Sequence, residues 1–239
     1  MNFLPTETIS NIILHMTSFD SIKEFCTISK YHNHICKMYG NDIAKRMIDI
    51  YNIDYKDPCN FIYIMNNISI DECKYKNGEF NYKKIVRLYL VFYNDYVIDC
   101  VYREITSIPI YPKLETLLCN YNEIKELPEL PNLIELHCDH NEISHLKDIY
   151  QNLEILFCRN NLLKNIPNYK KLKKLYCEHN ELVSIPEYPS IEVLMCNGND
   201  INDLPSFPNL IELHCDNNSS IVINKYKYPN LKFLNDRPF

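Results

Sequence analysis

Six cysteines recur through the second half of the chain, Cys119, Cys138, Cys158, Cys177, Cys196 and Cys215, at steps of 19, 20, 19, 19 and 19 residues. An asparagine three residues after each keeps the same steps: Asn122, Asn141, Asn161, Asn180, Asn199 and Asn218. Thiols so spaced suggest metal ligation, disulfide cross-linking or packing. His137, Asp139 and His140, partly repeated as His214 and Asp216, are metal-ligand types. A closed site needs a full set of convergent ligands, and the neighbouring repeats offer Tyr121 and Asn160 instead, so no metal is assigned. A disulfide framework would not set one cysteine per repeat at an inward position. Packing as a small apolar filler is the reading that fits. There is no glycine-rich phosphate loop, no ordered Ser/His/Asp set and no pair of carboxylates in a cleft. The sequence therefore assigns no catalytic residue and no cofactor, and reads as non-enzymatic.

The cysteines belong to a repeat. LETLLCNYNEIKELP from Leu114 returns as LIELHCDHNEISHL from Leu133, LEILFCRNNLLKNIP from Leu153 and LKKLYCEHNELVSIP from Leu172. Two more copies, IEVLMCNGNDINDLP from Ile191 and LIELHCDNNSSIVI from Leu210, complete the set. Two ladders in agreement over six copies predict a solenoid. Each L-x-x-L-x-C segment reads as a short parallel strand with its first, fourth and sixth positions inward. Strands ~4.8 Å apart turn each inward ladder into a stripe of core. The asparagine stands where the chain leaves the strand. Its amide both donates and accepts, so it can satisfy backbone groups of its own and the neighbouring coil, as an apolar side chain cannot. The return path is short, with Pro128 and Pro131 inside it, and Pro109/Pro112, Pro186/Pro189, Pro205/Pro208 and Pro167 in the other repeats. Proline fixes φ and removes a donor, so the far side should be extended or 3₁₀, without α-helices. In the third repeat Lys147 replaces proline and one residue is inserted (HLKDIYQNL), which predicts a local bulge or 3₁₀ turn.

Upstream, Leu4-Pro5 opens an amphipathic helix carrying Ile9, Ile12, Ile13 and Met16 at helical spacing. Ser21-Ile22-Lys23-Glu24 has the form of a capping box for a second helix. A third helix is expected over Tyr31–Met38 and a fourth from Asn41 or Asp42. Dense apolar residues over 80–93 predict a helix that covers the first coil of the solenoid. The expected class is therefore α+β. An all-α domain fills 1–50, a helical linker and cap 51–95, and the solenoid 96–239, with six full repeats over about 114–221 between degenerate caps.

The chain has 239 residues and a net charge of −6. Residues 1–95 carry 11 basic and 11 acidic side chains; residues 96–239 carry 14 and 20. An acidic solenoid argues against nucleic acid, whose phosphates need a basic footprint. The start lacks the basic and long apolar segments of a signal peptide, and no stretch is apolar enough to span a bilayer. A cytoplasmic monomer without membrane contact is expected.

LPTETISNIILHM followed by FDSIKEFCTISKYHNHIC resembles an F-box over residues 3–47, and is similar to F-box-like openings in proteins of giant DNA viruses. That resemblance implies that Leu4, Pro5, Ile9, Ile12 and Ile13 dock a Skp-type adaptor of a cullin-RING ubiquitin ligase, in the host cytoplasm if the protein is viral. The repeats, with their LPxxP return, resemble the shortest leucine-rich class, known from bacterial type III secreted effectors. On a leucine-rich horseshoe the side chains between the inward leucines line the concave face. Here that central ladder reads Asp99, Leu118, His137, Phe157, Tyr176, Met195, His214, rimmed by Tyr121, Asp139, His140, Arg159, Glu178 and His179. Aromatics, methionine and arginine in a row have the composition of a protein-binding patch. The resulting expectation is an interaction module that captures a protein target for ubiquitination on its concave face. The alternative is a stand-alone binding module whose N-terminal helices only cap the solenoid.

Overall fold

The computed structural model describes residues 96–219 and 221–239. They form one nine-stranded sheet in sequence order: β1 (Val97–Asp99), β2 (Thr116–Leu118), β3 (Glu135–His137), β4 (Ile155–Phe157), β5 (Lys174–Tyr176), β6 (Val193–Met195), β7 (Glu212–His214), β8 (Phe233–Leu234) and β9 (Arg237–Pro238). Neighbours from β1 to β8 pair parallel, and β9 folds back antiparallel on β8. The register sets equivalent residues side by side: Leu117, Leu136, Leu156, Leu175, Leu194 and Leu213 form one row. All six are buried, with the first-position leucines, Ile191 in the same place, and the cysteines beside them.

The asparagine ladder works as expected. Asn161 donates through Nδ2 to the carbonyls of Cys138 (2.9 Å), Cys158 (3.2 Å) and Arg159 (3.1 Å). Its Oδ1 accepts the Ile143 N–H at 3.0 Å. Asn141, Asn180, Asn199 and Asn218 repeat the pattern, each tying its own coil to the preceding one. At the first coil, where Arg103 takes the asparagine position, Asn122 accepts the Arg103 and Ile105 N–H groups at 3.0 and 3.1 Å.

The expected α+β class is overturned. Among the described residues there is no helix, α or 3₁₀, and the architecture is a parallel β-solenoid. The helices expected over 1–50 and 80–93, with Leu4, Pro5, Ile9, Ile12 and Ile13, lie outside the described residues. The return path closes through β-turns instead of 3₁₀ helix: Leu133 N–H donates to Leu130 at 3.1 Å, Leu172 to Tyr169 at 3.0 Å and Leu210 to Phe207 at 3.2 Å. This puts Pro112, Pro131, Pro189, Pro208 and Pro229 second in the turn, where a fixed φ is favoured. The insertion is absorbed as a turn at Asp148–Ile149, and the β3–β4 register is unchanged.

The first residue of that turn forms a ladder missing from the sequence reading. Tyr111, Leu130, Tyr150, Tyr169, Tyr188, Phe207 and Tyr228 are buried along the back of the core. Tyrosine hydroxyls there donate one coil back: Tyr150 to Pro128 O (2.6 Å), Tyr169 to Lys147 O (2.9 Å) and Tyr188 to Pro167 O (3.0 Å). Burial of a ring with a polar tip requires such a partner. Lys147 thus supplies the same carbonyl as the prolines it replaces.

Candidate functional site

Alternation along each strand sends the middle residue inward and its two neighbours to the open face of the sheet. The cysteine row is on the inward side, and its six members, with Cys100 one step before them, are free thiols. Burial pushes their pKa values up, to about 12 for Cys100 and about 11 for Cys215. Protonated and enclosed, they are neither nucleophiles nor ligands in this state. Among the described residues no group of three or more His, Cys, Asp or Glu is arranged to hold a metal ion.

On the open face Leu118, His137, Phe157, Tyr176 and Met195 are half-buried in one row. Three of them are stacked rings: His137 on Phe157 at 4.2 Å between centroids, and Phe157 on Tyr176 at 4.1 Å with 4° between planes. The parallel register supplies this stack, because one strand spacing is close to the offset-stacking distance. Arg159 sits beside it, its guanidinium carbon 5.3 Å from the Phe157 centroid and 4.7 Å from that of Tyr176. Its Nε–H donates to Glu178 at 3.0 Å, and Asp139 stands 3.9 Å from its Nη1.

Two site residues differ from expectation. Asp139, expected on the rim, is buried: its Oδ1 accepts the Arg159 N–H at 2.7 Å, continuing a pattern in which Asn120 accepts Asp139 N–H and Asn197 accepts Asp216 N–H. Desolvation raises its pKa, and the Arg159 amide and charge oppose that rise. His214, expected as the exposed end of the row, is also buried. Glu212 stands 3.3 Å from its Nε2 and Asp236, in the turn joining β8 to β9, at 3.6 Å. His137 bonds Glu135 at 2.7 Å on its own strand.

The remaining rim residues form a second ladder. Tyr102, Tyr121, His140, Asn160 and His179 each occupy left-handed backbone, with φ between 51° and 57°. Tyr102 stacks on Tyr121 at 4.2 Å and Tyr121 on His140 at 4.3 Å. The next rung is Gly198 at φ 64°, where an added Cβ would come 2.8 Å from His179 Nδ1. Left-handed backbone costs a non-glycine residue energy, so these rings are held in place by the coils on either side. The residue just before each ladder asparagine, Tyr121, His140, Asn160, His179, Gly198 and Asn217 in turn, was the available signal. Tyr121, His140 and His179 therefore form a separate row from the stack at Phe157, with Asp139, Arg159 and Glu178 as the charged row after the cysteines.

No protein-family model and no curated protein matches the chain. Solved structures do. The leucine-rich effector protein YopM from Yersinia pestis is 26% identical, with a TM-score of 0.51, over 58% of this chain and 48% of its own. A Shigella effector leucine-rich-repeat domain is also 26% identical, with a TM-score of 0.51, over 57% of this chain and 65% of its own. The match thus spans about half of the Yersinia protein and just under two thirds of the Shigella domain. The described residues are a leucine-rich-repeat solenoid like those of these bacterial effectors.

Proposed function

We propose that the solenoid is a protein-binding module whose partner lies across the strand row Leu118, His137, Phe157, Tyr176 and Met195, beside the rim of Tyr121, His140 and His179. The observation that carries this reading is the ordered stack of His137, Phe157 and Tyr176 with Arg159 against it, on a face the core does not use. The fold makes no demand for rings there, since Asp99 and Met195 occupy the same position in other strands. Aromatic and arginine side chains already ordered before contact lose little freedom on binding, which is the character of an interface hot spot. The likeness to leucine-rich effector proteins supports a module that binds and does not catalyse.

The test is affinity capture with the full chain against a Phe157→Ala/Tyr176→Ala variant, followed by reconstitution with the purified partner. A protein retained by the first and lost by the second, with the variant's circular dichroism unchanged, is the expected result. Equal retention by both would remove this face from consideration.

The narrower role, a cullin-RING substrate adaptor, rests on the sequence Leu4-Pro5-x-Glu7 with Ile9, Ile12 and Ile13. Co-purification of the full chain with a recombinant Skp-type adaptor tests it: stoichiometric capture abolished by Leu4→Ala/Pro5→Ala is expected. Absence of capture leaves a stand-alone binding module.

A further inference from the structure

From the chemistry of this open face, and resting on the protein-binding reading above, we infer that the partner segment it receives is cationic, with lysine or arginine beside an apolar or aromatic residue that lies on the Phe157–Tyr176 stack. The protein's own Arg159 shows what the face accommodates. Its guanidinium lies 4.7 Å from the Tyr176 centroid while its Nε–H reaches Glu178 at 3.0 Å. A ring row flanked by carboxylates holds a cation through both attractions at once.

Among the described residues one such place is filled from within, by Arg159. In the two outward strand positions and the position after each cysteine stand six carboxylates, Asp99, Glu135, Asp139, Glu178, Glu212 and Asp216, against two cations, Lys174 and Arg159. Arg159 engages Glu178 and Asp139. Among the described residues no lysine or arginine forms an ion pair with Asp99, Glu135, Glu212 or Asp216. These carboxylates flank the aromatic stack toward both ends of the sheet; Glu135 and Glu212 stand against the imidazoles of His137 and His214, Asp216 accepts the Asn235 amide at 2.7 Å, and none is met by a lysine or arginine among the described residues. An acidic or neutral segment laid along the stack would leave these carboxylates desolvated without a counter-charge. A basic segment matches them and is steered in by the same field.

The experiment selects peptides from a random display library on the immobilised full chain, then measures the enriched peptides on three proteins: unaltered, Phe157→Ala/Tyr176→Ala and Glu212→Gln/Asp216→Asn. The expected outcome has four parts: enrichment of lysine or arginine next to an aromatic or aliphatic residue, loss of binding on the ring variant, about fivefold weaker binding per carboxylate removed, and further weakening as salt rises. Neutral or acidic peptides that still depend on Phe157 and Tyr176 would overturn the cationic inference and leave the binding module standing. Peptides indifferent to the ring variant, or no enrichment at all, would overturn both.

Discussion

The two sides of the sheet differ in how freely their residues vary. On the inward side every full repeat repeats leucine at the middle strand position, cysteine two residues later and asparagine three beyond that. On the open side the row between them runs through leucine, histidine, phenylalanine, tyrosine, methionine and histidine. Each inward residue meets a copy of itself one coil away and the same backbone groups, so one solution to packing and hydrogen bonding serves all the coils. The outward residues meet solvent and unlike neighbours, and their types are free to follow a partner. Uniformity marks what the fold requires, and variation marks where function can be written.

That contrast predicts a graded response to substitution. The largest effect belongs to Asn161→Ala, which strips the partners from the carbonyls of Cys138, Cys158 and Arg159 and from the Ile143 amide. Buried unsatisfied groups put the loss at about 3 kcal/mol or more in urea unfolding. A loss below about 1 kcal/mol would mean that the ladder is replaceable by water.

Alkaline pH attacks the same inward side. The thiols of Cys215 and Cys100 are raised to about 11 and about 12 from an ordinary value of 9.0. The folded state thus holds its protons longer than the unfolded chain. The associated stability is fully present below pH 9.0 and disappears as pH rises through those raised values. Unfolding midpoints should be flat up to pH 9.0, fall between there and the raised values, and level off beyond them. A midpoint unchanged at pH 11 would contradict the burial of the cysteine row.

Tyr169→Phe should cost less, about 1 kcal/mol, because it removes one hydroxyl from the Lys147 carbonyl and keeps the ring. Cost equal to that of Asn161→Ala would make the back of the core as demanding as the asparagine ladder. Phe157→Ala/Tyr176→Ala should lose about 1 kcal/mol for the ring stack, beyond the area two half-buried rings cover, and keep the fold intact. Unfolding of this variant would place those rings in the structural class and erase the contrast.

Parts of this pattern were legible in the sequence and parts were not. The strands, their register and the bonds made by Asn161 could be read because a fixed step of about one coil turns sequence equivalence into spatial contact. The tyrosines at 150, 169 and 188 kept the same step and carried as clear a signal; their role depends on the β-turn each one opens, with Gln151, Lys170 and Pro189 second in it. Asp139 reads as a surface acid until the Arg159 amide is seen against it. His214 reads as exposed until Asp236 is brought beside it by the reversal of β9.

By itself the sequence determined the solenoid, because periodicity makes every inward residue its own neighbour and leaves packing only one arrangement to satisfy. Tertiary structure decided which outward residues touch. The stack at His137, Phe157 and Tyr176, the guanidinium of Arg159 against it and the left-handed row from Tyr102 to His179 all join unlike side chains across coils. No period specifies such contacts; they follow from strand spacing, backbone conformation and the particular shapes that meet.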